Sequence, residues 1–222
     1  VGQILSVNVG RAEPNPYKSA KSTGIGKRPV DGPVEVRAPG PKRGGLGSGL
    51  VGDFVGDTQH HGGDLQAVYA FQREDLDAWA ERLGRELPNG FFGENLTTTG
   101  MDVNEARVGE VWQMGDTLRL QVTSPRIPCA TFRGWMGERA WAKTFVAAGR
   151  PGTYLSVVVP GAVRAGDEVT VVHRPEHDVT AALVFRATTT ERDLLPQLLA
   201  AGDDLEPEIA EAARERRLVV LD

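Results

Sequence analysis

Apolar and polar positions alternate in short runs along most of this chain, and the runs break at glycine and proline. Gln3–Val9 alternates as a strand, and Val34-Glu35-Val36 is a shorter one. Ala67-Val68-Tyr69-Ala70-Phe71 is uninterruptedly apolar and reads as a buried strand. From Arg73 the period changes: Leu76, Trp79, Ala80, Leu83 and Leu87 form one helical face, which Pro88-Asn89-Gly90 ends. Gly109–Met114 and Thr117–Thr123 flank Gly115-Asp116 as a hairpin. A second helix is predicted over Gly134–Ala148, with Trp135, Ala142, Phe145 and Val146 inward. Tyr154–Val159 and Glu168–Val172 are again strands. Strands at this spacing with two inserted helices predict a mainly β fold, a closed antiparallel barrel.

After His173-Arg174-Pro175 the pattern turns helical. Asp178 is placed to cap a short helix, and Glu191–Ala201 and Pro207–Leu218 continue the pattern, with Gly202-Asp203-Asp204 as a break. The expected organisation is therefore a barrel domain over 1–175 and a three-helix appendage over 176–222.

The 27 glycines and 14 prolines among 222 residues supply the turns such a fold needs. The net charge of −5 is uneven: residues 178–222 carry all of it, whereas 1–177 balance. Within the latter, 11–49 holds eight basic residues against three acidic ones, an excess that suits a compact anionic ligand or a solvated loop. The acidic tail could form a helix-turn-helix unit, but its charge argues against nucleic acid, and a packing or docking module suits it better. No apolar stretch is long enough for a bilayer. The opening residues lack the charged start of a signal peptide, and with a lone cysteine this predicts a cytoplasmic protein that does not engage membranes.

That cysteine, Cys129, follows Ser124-Pro125-Arg126-Ile127-Pro128 on a stiff turn, with Arg126 and Arg133 close in sequence. Positive charge draws a thiol toward the thiolate that binds metals, although a free cysteine is also a common core residue. Lys21-Ser22-Thr23-Gly24-Ile25-Gly26-Lys27-Arg28 is a glycine-flanked basic loop without Walker spacing; it forms either a phosphate nest or a plain turn. His60 and His61, if extended, point to opposite faces, and no spaced Cys/His set supports structural zinc. His173 and His177 read as surface residues. Glu94 and Asn95 are either a hydrogen-bond clasp or ligand contacts.

Four strings in this order resemble the MOSC family, named for the C-terminal domain of molybdenum cofactor sulfurase: Thr23-Gly24-Ile25-Gly26-Lys27, His61-Gly62-Gly63 before Ala67-Val68, Gly93-Glu94-Asn95-Leu96, and Pro125-Arg126-Ile127-Pro128-Cys129. The tail resembles the helical extension of the bacterial stand-alone branch, which includes 6-N-hydroxylaminopurine reductases. The resemblance implies a barrel like that of pyruvate kinase that binds molybdopterin, with Cys129 as catalytic residue and molybdenum ligand. It places Lys21, Thr23, Lys27 and Arg28 at the cofactor's phosphate, and His61, Asn95 and Arg126 near the pterin and metal. The implied reaction is reduction of small N-hydroxylated bases, amidoximes or hydroxylamines. Because no nicotinamide or flavin fingerprint is present, electrons are expected from a flavoprotein or ferredoxin-like donor. The alternative is a non-catalytic module that carries the cofactor or a persulfide on Cys129. No lysine sits in a Schiff-base context, so pyridoxal phosphate is not expected.

Overall fold

The computed structural model describes residues 1–218; residues 219–222, the end of the expected appendage, lie outside the described residues. Twelve strands are present among the described residues. In chain order they are β1 (Gly2–Val9), β2 (Glu13–Pro14), β3 (Ser22–Thr23), β4 (Arg28–Pro29), β5 (Val34–Val36), β6 (Val68–Gln72), β7 (Leu96–Thr99), β8 (Val111–Met114), β9 (Leu118–Pro125), β10 (Thr153–Val159), β11 (Gly161–Val163) and β12 (Glu168–His173). Seven of them form a ring in the order β12-β8-β9-β10-β6-β7-β1, closed where Gly2 and Gln3 of β1 pair with Val169 and Glu168 of β12. Closure removes the exposed strand edges that would otherwise invite other chains.

The barrel is antiparallel except at one place. β6 and β7 run parallel, with Ala70 opposite Leu96, and the helix α1 (Arg73–Leu83) supplies the crossover that a parallel pair requires. A wholly antiparallel barrel was expected; the crossover makes it mixed. α1 ends at left-handed Gly84, before the predicted stop, while Leu87 beyond it is still buried in the same core.

All five residues of β6 are buried, which explains its unbroken apolar run. Val68 and Ala70 face the barrel interior with Ile4, Val7, Leu96, Trp112, Leu120 and Leu155. Tyr69 and Phe71 face outward, into a second core of aromatic rings: Trp79, Phe92, Phe132, Trp141, Phe145 and Phe185. Ring centroids there lie as close as 4.7 Å, between Trp79 and Trp141, in tilted and edge-to-face pairs.

The helix predicted over 134–148 is two helices, α2 (Ala130–Met136) and α3 (Trp141–Ala148). Gly137 and Ala140 between them both adopt positive φ, so the helix cannot run through. Trp135 and Ala142, expected inward, are half-buried; Trp135 donates Nε1–H to the Phe91 carbonyl.

The appendage comprises α4 (Ala181–Thr189), α5 (Leu195–Leu198) and α6 (Pro207–Glu215), joined by 3-10 turns around a small core of Val108, Val184, Leu195, Leu198 and Leu205. The expected helix over 191–201 is mostly 3-10 turns, kinked at Gly202. Thr180, rather than Asp178, caps α4 by accepting from the Leu183 N–H; Asp178 pairs with Arg107. α4 also contributes Phe185 to the aromatic core. His173 is exposed as expected, but the His177 side chain is only 9% exposed, held near Asp204 at 3.5 Å.

Candidate functional site

Beside the outward face of β6 lies an open hollow of about 100 Å³. Its floor is built by three elements. β6 supplies Tyr69, the turn after β9 supplies Arg126 and Cys129, and β10 supplies Tyr154. Three loops form its rim, and they lock by glycine against carbonyl. A Cβ on Gly24 would stand 2.0 Å from the Phe54 oxygen, one on Gly56 2.0 Å from that of Ser22, and one on Gly62 2.5 Å from that of Gly47. No side chain fits at these three contacts.

Cys129 occupies the N-cap of α2, half-buried. Burial pushes its thiol up, yet a hydrogen bond from His61 and the Arg126 charge outweigh that and bring the pKa down to about 6. Arg126 is 7% exposed and forms no carboxylate ion pair among the described residues. Its guanidinium lies over the Phe132 ring at 4.4 Å and the Tyr69 ring at 5.1 Å, and it bonds to Tyr154. Its Nε has no hydrogen-bond partner. A buried cation with an unused donor, beside a thiol that ionises readily, calls for an anion.

The thiol sets a clear expectation for pH. The folded pKa lies below the ordinary thiol value of 9.0, so the thiolate is lost only as pH falls through about 6. Alkylation of the metal-free protein by iodoacetamide should therefore reach half its maximal rate near pH 6, with Arg126→Met moving that midpoint upward. A midpoint in the ordinary thiol range in the unaltered protein would contradict the arrangement.

His61 reaches Cys129 because residues 57–61 form a turn, the His61 N–H bonding to the Asp57 carbonyl at 2.9 Å, and are not extended. His60 turns away to the Asp57 carboxylate, which also pairs with Lys18 at 2.8 Å. Burial acts to raise the Asp57 pKa, but these two partners hold it at about 2.

The expected phosphate cations do not converge. Lys27 lines the hollow, but its ammonium is bonded to Asp53, a carboxylate 1% exposed that also accepts from the Gly10 N–H and the Asn95 amide. Arg28, paired through β4 to β1, lines a separate groove with Arg11, and Lys21 is exposed outside the lining. Thr23 lines the hollow, its hydroxyl accepting from the Ile25 N–H. Asn95 does too, but both ends of its amide are engaged: the oxygen accepts from the Tyr69 N–H and the nitrogen serves Asp53 and the Asn8 carbonyl. Glu94 is the clasp. Fully buried, it accepts from the Gly90 and Phe92 N–H groups and the Thr97 hydroxyl, and burial still pushes its carboxyl up to about 7.

Sequence reasoning missed Asp53, Gln66, Tyr69 and Tyr154 as lining residues. Tyr69 and Tyr154 lie on runs that read as strands, which does not mark them as lining residues. Among the described residues no three His, Cys, Asp or Glu side chains gather as a metal-ligand set, and Cys129 is the one thiol that lines the hollow.

Comparison with known proteins fits this geometry. The family model described as MOSC domain matches residues 57–170. Protein YiiM of Escherichia coli is 30% identical over 196 residues, covering 84% of this chain and 81% of that one. Protein YflK of Bacillus subtilis is 29% identical over 184 residues, 82% of this chain and 79% of its own. A protein named reductase from Gibberella moniliformis is 28% identical over 177 residues, of which this chain spans only 30%. The crystal structure of YiiM from Geobacillus stearothermophilus superposes with a TM-score of 0.76 at 26% identity, over 97% of this chain and 99% of that one. With a closed barrel, a helical tail and a lone cysteine facing a hollow beside β6, this chain belongs to the MOSC domain family.

Proposed function

We propose that this protein binds a pterin-type molybdenum cofactor in the hollow and reduces N-hydroxylated bases, amidoximes or hydroxylamines to amines. The observation that carries the reading is the Cys129 thiol, drawn to about pKa 6 beside a buried guanidinium with an unused donor. The family is one associated with that cofactor, and the fungal relative bears the name reductase. When bound, the cofactor supplies the two-electron chemistry. Cys129 would hold the metal through its thiolate, a soft ligand, and Arg126 would offset the negative charge of the bound group. His61 donates a hydrogen bond to the sulfur. Ile25, Phe54 and Val55 form an apolar wall that limits water.

In the overall reaction the substrate's N–O bond breaks; two electrons and two protons are taken up, leaving amine and water. The electrons come from a separate protein, a flavoprotein or a ferredoxin-like donor. Among the described residues no helix is long and apolar enough to cross a membrane, and a cytoplasmic place suits such a partner. The test is a metal and pterin assay of protein from a molybdenum-replete host, followed by reduction of benzamidoxime with a chemical reductant. Near-stoichiometric molybdenum and benzamidine formation are expected; metal-free, pterin-free protein would overturn the reading.

A further inference from the structure

One lining residue has a feature that neither the cysteine nor the buried arginine accounts for. The Gln66 side-chain carbonyl Oε1 is buried and has no hydrogen-bond partner among the described residues. Of the side chains that line the hollow, only Gln66 and Arg126 have such an atom. The backbone around Gln66 is fixed without help from its side chain. Its N–H bonds to the Gly63 carbonyl at 3.0 Å, closing the 3-10 turn Asp64–Gln66, and the Thr123 hydroxyl donates to the Leu65 carbonyl at 2.6 Å. Leu65 is 41% exposed and Ala67 1% exposed, so Gln66 stands where the chain passes from the mouth into the core. An amide carbonyl in that position has been taken from water without receiving a donor in exchange, a costly arrangement unless a ligand supplies one.

Resting on the function proposed above, we infer that Gln66 is a specificity-determining acceptor that reads an N–H on a planar amide- or amidine-type edge. Arg126 offers a cationic donor in the same hollow, so the pair matches a ligand that presents an N–H and an electron-rich atom together. Two sources share this chemistry: the N–H of an amidoxime or N-hydroxylated base, and the amino-pyrimidinone edge of a pterin. Ligands that lack the N–H leave Oε1 unmet and bind less well.

The test uses an isosteric pair of probes, benzamidoxime and acetophenone oxime, which differ by NH2 against CH3. Their dissociation constants are measured calorimetrically on the cofactor-loaded protein. Pterin-6-carboxylate is titrated by fluorescence on cofactor-free protein. If the substrate supplies the N–H, the unaltered protein prefers benzamidoxime by about five- to tenfold, the worth of one hydrogen bond. Gln66→Met then abolishes the preference, and Gln66→Glu, which keeps an acceptor, restores part of it. If the pterin supplies it, Gln66→Met instead weakens pterin-6-carboxylate by a similar factor and leaves the oxime ratio unchanged. Gln66→Met that weakens both oximes equally, or alters neither arm, overturns the inference while leaving the proposed function standing. Unaltered protein that binds neither an oxime nor the pterin overturns the functional reading, and this inference with it.

Discussion

Cys129→Ser should empty the protein of molybdenum while leaving it folded. The hydroxyl is nearly isosteric with the thiol, but it stays protonated at neutral pH and is a hard ligand where a soft one is needed. Cys129 is half-buried at the edge of the aromatic core, and its thiol is tied to His61, which a hydroxyl can also serve. The expected result is molybdenum and pterin near background, no benzamidoxime reduction, and thermal unfolding within a few degrees of the parent. Retained metal would remove Cys129 as ligand. A large fall in stability with metal retained would mark it as a packing residue, and a persulfide found by mass spectrometry on metal-free parent protein would favour the carrier role.

The second large effect falls on Lys27, and it is one of stability. The Lys27 side chain is 7% exposed, and its ammonium faces the Asp53 carboxylate, whose side chain is 1% exposed. Removing the cation leaves Asp53 buried without a counter-charge, a change that costs about 3–5 kcal/mol. For a chain of this length Lys27→Met should lower the melting temperature by on the order of 10 °C. Lys27→Met combined with Asp53→Asn should recover part of the loss: the buried charge is gone and the asparagine oxygen still accepts from the Gly10 N–H, but its NH2 replaces the oxygen that accepted from the Asn95 amide. Calorimetry of the single and double variants decides the matter. A Lys27→Met protein as stable as the parent, with weaker pterin retention, would return this lysine to the phosphate role.

The contrast between Lys27 and Arg126 shows what a sequence can and cannot reveal. Local pattern was enough where a residue's surroundings come from its neighbours in the chain. The buried run at β6, the helical face of α1 and the hairpin between β8 and β9 all appear where alternation and turn residues place them. Cys129 stood out because its own string is distinctive. Partners distant in sequence were invisible. Lys27 is neutralised by Asp53, and His177 is buried against Asp204; neither contact leaves a periodic trace. The break between α2 and α3 was hidden because Ala140, an ordinary helix former, adopts positive φ. The parallel β6–β7 pair depends on which way the chain returns after α1, a choice that alternation does not encode.

The loop contacts at Gly24, Gly56 and Gly62 also bear on how such a protein changes over time. Where main chain touches main chain, the width of the opening is set by backbone alone, and substitutions among the lining side chains alter what is recognised without altering what can enter. Selectivity and aperture are then separate variables: the first can drift one residue at a time, while the second moves only if a glycine is lost and a whole loop is displaced with it.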